Sequence, residues 1–330
     1  MKKQILLSLI FTLLCGMIYG QHLIRVNNNP AADADYTTLQ AANDNALAGD
    51  TIYVEGSTTI YDGASVDKKL VIIGPGYFLI DNDSTQANGL IANISGSLTF
   101  QSGSSGSSIT GLTCTNVYIY VNNIEVTRCD VDFIGIYAVV ENILVSQNYL
   151  GQINVDAYSG KMTNSIISNN IVQSQIAAGS SSGPIQVINN VVLAQTSSPI
   201  SVYNSNIANN ITCHATYKII ENTGNTITNN ISAAAGTNEN GNKYSVPMTT
   251  VFVDYSGSLN YSDDAKWKLK AGSPAIGAGV GGVDCGVFGG PTPYVLSGIP
   301  PLPHIYEAAI PGVGYSGSGL SCTIKVKAGK

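Results

Sequence analysis

Short apolar runs recur along the chain at a fixed interval, each interrupted by a pair of asparagines. Four of them, at residues 167–172, 187–192, 207–212 and 227–232, follow one another at steps of 20 residues. Short β-branched runs bounded by Asn, Gly and Ser are typical of β-strands. A period of this length without helical segments is typical of a solenoid whose turns stack on one another. The pattern therefore predicts an all-β fold, a parallel β-solenoid.

The alternation within each repeat predicts which side chains form the core. Ile167 and Ile171 are matched by aliphatic residues in every later run, whereas Ser168 and Val172 are matched by polar and apolar residues alike. We therefore predict that the first two columns point inward and the other two outward. The Asn pair falls at the corner between strands. Asparagine tolerates the left-handed conformation of a sharp bend, and its amide can bond to the equivalent Asn about 4.8 Å away in the next turn.

A short helix is expected to precede the strands. Residues 36–49 are rich in alanine, Thr37 and Gln40 are spaced as a capping box, and Gly49 suits the left-handed end of a helix. From there to about Cys285 every signal indicates strands. This stretch has room for roughly 11 turns, a rod of about 50 Å.

Residues 1–20 have the features of a secretory signal peptide. Two lysines precede an apolar run over residues 5–18, and Gly20 is a small residue at the predicted cleavage point. Lipidation at Cys15 is the alternative, but Leu14 before it is not the small residue that such processing uses. No other segment has the roughly 20 consecutive apolar residues of a membrane span. We therefore expect an exported protein that does not span the membrane.

Three features together resemble a known family. Residues 36–56, YTTLQAANDNALAGDTIYVEG, are similar to an amphipathic capping helix followed by a GDTI-type first strand. The Asn repeat is the second feature. The third is WKLKAGSPAIGAGVGGVDCGVFGG, residues 267–290, which is similar to the closing turn of many exported β-helix proteins. On these grounds the chain resembles the secreted bacterial right-handed parallel β-helix proteins of the pectin-lyase-like superfamily.

This resemblance implies a right-handed parallel β-helix with a short N-terminal capping helix over residues 21–290. It also implies a secreted, cell-surface or periplasmic location in a Gram-negative bacterium. The superfamily includes lyases, hydrolases, epimerases and adhesins, so the fold alone leaves the activity open. Residues 291–330 form a Pro-rich tail that is predicted to end in a strand.

The charge balance excludes one class of partner. The chain has 15 Lys and Arg against 21 Asp and Glu, a formal net charge of −6, and loss of Lys2 and Lys3 with the signal peptide makes this −8. Nothing in the sequence forms a basic stripe able to neutralise phosphates, so we expect no nucleic-acid partner. The cysteines lack the spacing of a zinc site, so we expect no structural metal.

The strongest candidates for binding residues are tyrosines at outward positions. In VYIYV, residues 117–121, the alternation turns Val117 and Ile119 inward and both tyrosines outward. The same argument applied to the next two turns completes the set of predicted substrate-binding residues: Tyr118, Tyr120, Tyr137, Asn154 and Tyr158. Tyr118, Tyr137 and Tyr158 are separated by 19 and 21 residues, about one turn each, which predicts a stack on one exposed face.

Aromatic side chains beside Asn and Asp suit a sugar chain. Pyranose rings pack on aromatic rings, while sugar hydroxyls bond to amides and carboxylates. The alternative is that tyrosine is merely a good strand residue that packs on its neighbours. The first hypothesis is therefore an exported, non-catalytic and monomeric protein without a cofactor, which binds polysaccharide or contributes to the cell surface.

The second hypothesis is a polysaccharide lyase or related enzyme acting on an acidic glycan. The family resemblance implies a Lys or Arg base for a lyase, with Ca²⁺ or Arg neutralising the substrate carboxylate. The catalytic candidates are Lys161, Arg128, Asp132 and Asp156, and Asp130 with Asp132 would bind the Ca²⁺. A close approach of Lys161 to two or more of these carboxylates would favour the lyase, whereas scattered positions would favour the glycan binder.

Overall fold

The protein is a stack of parallel coils. A computed structural model describes residues 21–155, 160–194, 198–313, 317 and 319–328. Over these residues the chain is nearly all-β, and it forms a parallel β-solenoid of about nine turns. The predicted parallel solenoid is therefore confirmed. Its strands form three parallel sheets, and a separate antiparallel hairpin lies at the C-terminal end of the chain.

The first sheet contains ten strands in chain order. They are β1 (Leu23–Val26), β2 (Thr51–Val54), β4 (Val71–Ile73), β6 (Ser108–Thr110), β8 (Glu125–Thr127), β11 (Leu144–Ser146), β14 (Ser165–Ser168), β17 (Ile185–Ile188), β20 (Asn206–Ala208) and β22 (Thr226–Thr228). The second sheet contains eleven strands. They are β3 (Tyr61–Val66), β5 (Asn93–Phe100), β7 (Thr113–Ile119), β9 (Asp130–Ile136), β12 (Tyr149–Asn154), β15 (Ile171–Val172), β16 (Ile176–Ala177), β18 (Val191–Val192), β19 (Ile200–Ser201), β21 (Ile211–Thr212) and β23 (Ile231–Ser232). The third sheet pairs β10 (Val139–Glu141) with β13 (Lys161–Thr163).

Each strand of the solenoid buries alternate side chains inside the coil. Ile167 in β14 pairs with Val145 in the turn before and Val187 in the turn after, and all three are buried. Because this stacking repeats from turn to turn, one hydrophobic core extends along the solenoid from Ile24 to Ile219. The inward direction predicted for the Ile167 column is confirmed.

The Asn pair lies at the corner between the first and second sheets, and its two members have different roles. Asn169 adopts the left-handed conformation with a φ of 54°, as do its equivalents in later turns. Asn170 is completely buried, and its Nδ2 donates to Asn190 Oδ1 at 3.0 Å. The same amide-to-amide bond links the whole inner column, Asn148, Asn170, Asn190, Asn210, Asn230 and Asn242. The inner amides thus connect successive turns through the interior.

The alternation starts again at the corner, and two predicted directions are wrong. Val172, expected to point outward, lies in the solenoid core, whereas Ile171, expected inside, points outward. The cause is the left-handed residue at the corner, which turns Asn170 inward and so starts the alternation again from that residue. The equivalents of Ile171 in three later turns, Val191, Ile211 and Ile231, join it in a second hydrophobic cluster outside the coil.

The chain that follows the last turn covers this second cluster. The final solenoid strand ends at Ser232, so the predicted continuation of coils to about Cys285 is wrong. The expectation of roughly 11 turns is also wrong, because the residues counted as the last turns pack on the outside of the solenoid instead. Residues 276–300 return along the solenoid, and we call them the return strap.

The outer asparagines hold the return strap in place. Their side chains bond to its backbone at Ala278 (2.9 Å), Val280 (2.9 Å), Asp284 (3.0 Å) and Gly289 (2.8 Å). Further along, Arg128 Nη1 donates to Ile299 O at 2.9 Å. The outer asparagines, which adopt the left-handed conformation at successive corners, therefore fix the path of the return strap across the turns.

The N-terminal end is closed by the helix α1 (Leu39–Asn45), as predicted, and Leu39 is buried against the solenoid core. Its N-cap is Thr38, whose side chain accepts from Ala41 N, and not the predicted Thr37. The C-terminal hairpin pairs β24 (Pro303–Ala309) with β25 (Thr323–Ala328). In the described part of the chain, no helix is long and apolar enough to cross a membrane.

Candidate functional site

Most of the predicted site residues lie on the outer face of the second sheet. Tyr118 in β7 pairs with Gly135 in β9, which in turn pairs with Asn154 in β12. The inward neighbours Ile119 and Ile136 are completely buried, so Tyr118 and Asn154 point away from the core, as predicted. Two predicted residues of the next turn, Asp156 and Tyr158, lie outside the described residues.

Four aromatic rings meet on this face. The ring centroids of Tyr118 and Tyr137 are 4.9 Å apart, and those of Tyr120 and Tyr137 are 5.5 Å apart with an interplanar angle of 25°. Phe133 joins the group through Tyr118 at 6.2 Å. We call Tyr118, Tyr120, Phe133 and Tyr137 the aromatic cluster. Phe133 was missed in the sequence, although its outward position follows from the alternation that turns Ile134 inward.

The register within the aromatic cluster differs from the predicted stack. Tyr137 does not lie opposite Tyr118, because Ile136 pairs with Ile119 and the Tyr137 amide donates to Ile119 O at 3.0 Å. Tyr137 therefore lies beside Tyr120 and meets Tyr118 diagonally. Residues that pair between β7 and β9 are closer together in sequence than Tyr118 and Tyr137 are. Tyr137 therefore lies one outward row further along the chain direction than Tyr118.

Gly135 leaves the space that the rings occupy. A Cβ atom at this position would lie 2.5 Å from Tyr137 Cε2 and 2.6 Å from Phe133 Cε1, closer than atoms of packed side chains approach. Both rings therefore lie across the backbone of Gly135 and form a broad, shallow surface. Asn116 and Gln152 pair with Phe133 on either side and add amide groups to this surface.

Two aspartates lie on the same strand as Phe133. Asp132 is exposed, and Asp130 is half-buried at the edge of the second hydrophobic cluster. Burial raises the pKa of Asp130 to about 7, and the charges of Asp132, Asp264 and Asp263 act in the same direction. Asp130 can therefore gain or lose a proton near neutral pH.

Asp264 forms the centre of a buried polar group next to Asp130. Its side chain is completely buried and accepts from Ser297 N at 2.7 Å, Ser262 Oγ at 2.7 Å and Asn82 Nδ2 at 2.9 Å. Tyr294 Oη lies 3.4 Å from the same carboxyl group. Three separate segments of the chain meet here, so this group fastens the end of the return strap.

Three buried tyrosines adjoin this group. The hydroxyls of Tyr77 and Tyr294 are 2.6 Å apart, and burial together with the Asp264 charge raises the pKa of both phenols. Tyr149 beside them also has a raised pKa, mainly because of burial. These phenols remain protonated at physiological pH and act as hydrogen-bonding groups.

The described catalytic candidates lie on different elements of the solenoid. Lys161 is exposed in β13 of the third sheet, whereas Asp130 and Asp132 begin β9 in the second sheet. Arg128 occupies a left-handed corner with a φ of 51°, where its Nε donates to Gln147 Oε1 at 2.9 Å in addition to the bond with the return strap. Burial lowers the pKa of its guanidinium. These three candidates therefore lie on two different sheets and at a corner, and the fourth, Asp156, lies outside the described residues.

The Ca²⁺ implied by the lyase hypothesis does not fit the carboxylates that are present. Among the described residues, no group of three or more His, Cys, Asp or Glu side chains could hold a metal ion. Asp130 and Asp132 alone supply too few oxygens for Ca²⁺, which takes six to eight.

Two larger cavities lie elsewhere, around the hairpin. One groove of about 780 Å³ lies between β24 and the first strands of the first sheet. Leu23, Ile73 and Ile305 are among its lining residues, and the described lining contains no carboxylate. The other cavity, about 790 Å³, includes Asp81 and Lys268. The apolar groove lacks the mixture of rings, amides and carboxylates that the aromatic cluster presents.

No family model matches the chain, and no curated protein is similar to it at a significant level.

The half-buried position of Asp130 predicts a pH-dependent stability. An unfolded aspartate titrates with a pKa of about 3.9, whereas the folded pKa of Asp130 is about 7. Between these values the folded state holds a proton that the unfolded state has lost, so the free energy of unfolding falls as the pH rises and levels off above pH 7. Because partial exposure screens the group, we expect a loss of about 2 kcal/mol.

Thermal unfolding at several pH values, compared between wild type and Asp130→Asn, measures this contribution. The two profiles should converge near pH 4 and separate toward pH 7, with the variant the more stable. Asp62→Asn, which changes an exposed carboxylate of the same sheet, should follow the wild type. Parallel profiles for wild type and Asp130→Asn would contradict the assignment.

Proposed function

We propose that the protein is an exported, non-catalytic β-helix protein that binds a polysaccharide across the outer face of the second sheet. The single observation that carries the proposal is the aromatic cluster. Its rings form one continuous surface with Tyr120 42% exposed, and amide and carboxylate groups surround it. Sugar rings stack on such surfaces while their hydroxyls bond to the polar rim.

The shape of the site supports a chain-like ligand. Rows of outward side chains run across the turns of a parallel sheet, because the C-terminal parts of β5, β7, β9 and β12 pair residue by residue, as in the row of Thr99, Tyr118, Gly135 and Asn154. A polymer that lies along these rows would contact several turns at once. No cavity is needed for such a ligand, since an extended chain binds to an open surface.

The resemblance to pectin-lyase-like β-helix proteins supports the same proposal at the level of fold. The N-terminal signal of residues 1–20 supports export. Within that superfamily, the chain would be a member in which the β-helix supports a binding surface and no catalytic site. The separation of Lys161 from Asp130 and Asp132, on different sheets, supports a non-catalytic role.

Removal of two tyrosines should abolish most of the binding. In the variant Tyr120→Ala/Tyr137→Ala the stacked pair is lost, and we expect about 30-fold weaker binding, or about 2 kcal/mol, because central aromatic side chains dominate such interfaces. Retention on immobilised polysaccharides, followed by calorimetry on those retained, measures the effect.

A matched control is available in two exposed tyrosines outside the aromatic cluster. Tyr217→Ala/Tyr261→Ala removes side chains that are 36% and 45% exposed, and it should leave the affinity unchanged. Equal affinity of the Tyr120→Ala/Tyr137→Ala variant and the wild type for every polysaccharide retained would refute the proposed function.

A further inference from the structure

The charge of the binding face limits which polysaccharide it can accept. The eleven strands of the second sheet, as described, contain three aspartates, Asp62, Asp130 and Asp132, and no Lys, Arg or Glu. All three point outward, since their neighbours in the same strands fill the core. The sheet that presents the aromatic cluster is therefore negative and has no positive group of its own.

The aspartates nearest the aromatic cluster have no counter-charge. Asp132 forms no ion pair with any described residue, and it is two positions from Asp130 and next to Phe133. Every charge that acts on Asp130 is negative, namely those of Asp132, Asp264 and Asp263. Asp263 itself is paired with Lys266 at 2.6 Å, so that lysine is already engaged.

The two basic residues closest in sequence do not change this balance. Arg128 directs its guanidinium to Gln147 and the return strap, and Lys161 is in the third sheet, beyond the corner that follows β9. Neither lies in a strand of the second sheet. The negative charges of the aspartates, rather than the positive charges of these two residues, therefore set the electrostatic potential at the aromatic cluster.

A polyuronate on this face would meet like charges. It has a carboxylate on every sugar, and charges within roughly 10 Å of one another interact appreciably at ordinary ionic strength. Juxtaposed like charges at an interface cost several kcal/mol, which is enough to reject a ligand. A sugar without a negative charge avoids this cost, and its hydroxyls or amines can donate hydrogen bonds to Asp132.

We propose that the aromatic face selects a polysaccharide whose sugars have no negative charge, either uncharged or amine-bearing, and rejects polyuronates. This inference rests on the proposed function and adds the substrate class to it. Asp132 is the residue that determines specificity, because it combines exposure, a missing counter-charge and a position next to Phe133 of the aromatic cluster.

The experiment compares three probes with the full-length mature protein: an uncharged glucan, a deacetylated aminoglucan and a polyuronate. We expect retention on at least one of the first two and at least tenfold weaker affinity for the polyuronate at low salt. Salt separates the two accepted kinds, because affinity for the aminoglucan should fall in about 0.5 M salt whereas affinity for the uncharged glucan should not.

Asp132→Lys tests the residue itself. The substitution is at an exposed position, so the fold should tolerate it, and affinity for the polyuronate should rise at least tenfold at low salt. Asp62→Lys is the matched control at an exposed position in β3, three turns away in the same sheet, and it should have less than a third of this effect.

The outcomes distinguish the two proposals. Polyuronate binding as tight as that of the other probes, with loss on Tyr120→Ala/Tyr137→Ala, would overturn the charge selection and leave the glycan-binding function standing. Absence of polyuronate binding in Asp132→Lys would also count against the role of Asp132. If none of the three probes binds the wild type, the proposed function fails, and the charge selection fails with it.

Discussion

Asn190→Ala is expected to lower the free energy of unfolding by about 3–5 kcal/mol, a large effect for a single polar side chain. Asn190 is completely buried in the middle of the inner column. Its Oδ1 accepts from both the backbone N and the side-chain Nδ2 of Asn170, each at 3.0 Å. Its Nδ2 donates to Ile167 O and Asn210 Oδ1, also at 3.0 Å.

The alanine variant would leave these partners buried without replacements. Two donors of Asn170 and the carbonyl of Ile167 lose their partner, and water cannot reach them from the solenoid interior. A buried donor or acceptor left unsatisfied lowers the free energy of unfolding by about 1–3 kcal/mol. Several such groups would lie at this one corner. Because each turn pairs with the next, the loss of stability at this corner should lower the melting temperature of the whole solenoid.

Asn206→Ala is the matched control for this prediction. Asn206 lies in β20 on the outside of the same turn region, and its one described side-chain bond is to Gln186 Oε1 at 2.8 Å. Because the group is open to solvent, its loss should change stability by less than about 0.5 kcal/mol. Chemical denaturation of both variants measures the difference, and equal values would mean that the inner column adds nothing beyond a surface bond.

The corner could be predicted from the sequence because its cause is local. An Asn pair between aliphatic residues at a constant step implies a repeated bend, and the left-handed Asn169 and buried Asn170 follow from properties of asparagine alone. A second corner was missed for the opposite reason. Asn123, Asn142 and Asn164 adopt the left-handed conformation there, but they stand singly and at unequal steps, so no motif marks them.

The register of the aromatic cluster could not be predicted from spacing. Asp130 pairs with Thr113, 17 residues earlier, and with Tyr149, 19 residues later, so the turns differ in length. A spacing of 19 residues between Tyr118 and Tyr137 therefore places them one outward row apart. The outward direction of both tyrosines was predicted correctly, because alternation within a strand does not depend on the length of the turn.

The path of the return strap also could not be predicted from local sequence patterns. Asn169 and Gly289 are 120 positions apart, and nothing in either segment shows that they bond. The motif in residues 267–290 suggested the closing turn of the coils, but the last solenoid strand ends at Ser232 and the motif packs on the outside of the solenoid against the second hydrophobic cluster. That cluster exists only because Ile171 and its equivalents point outward.

Asp264→Ala is expected to lower the free energy of unfolding by about 3–5 kcal/mol and to loosen the end of the return strap. The carboxyl group satisfies donors from three segments, which are Asn82, Ser262 and Ser297. Alanine would leave the buried N–H of Ser297 without its acceptor and the amide of Asn82 with only one of its two acceptors, Ser297 Oγ. Water entering the space would separate the hydroxyls of Tyr77 and Tyr294.

The loosening should be local as well as global, because the strap is fastened here by one polar group. Hydrogen exchange of the amides in residues 294–299 should speed up more than exchange in β14, whose backbone is paired on both sides. Limited proteolysis should cut the strap in Asp264→Ala before it cuts the solenoid. The neighbouring Asp263→Asn is the control, since its carboxylate is exposed and bonds only Lys266 among the described residues. If both variants melt at the same temperature, the polar group does not fasten the strap, and the second hydrophobic cluster, the outer asparagines and Arg128 hold it without Asp264.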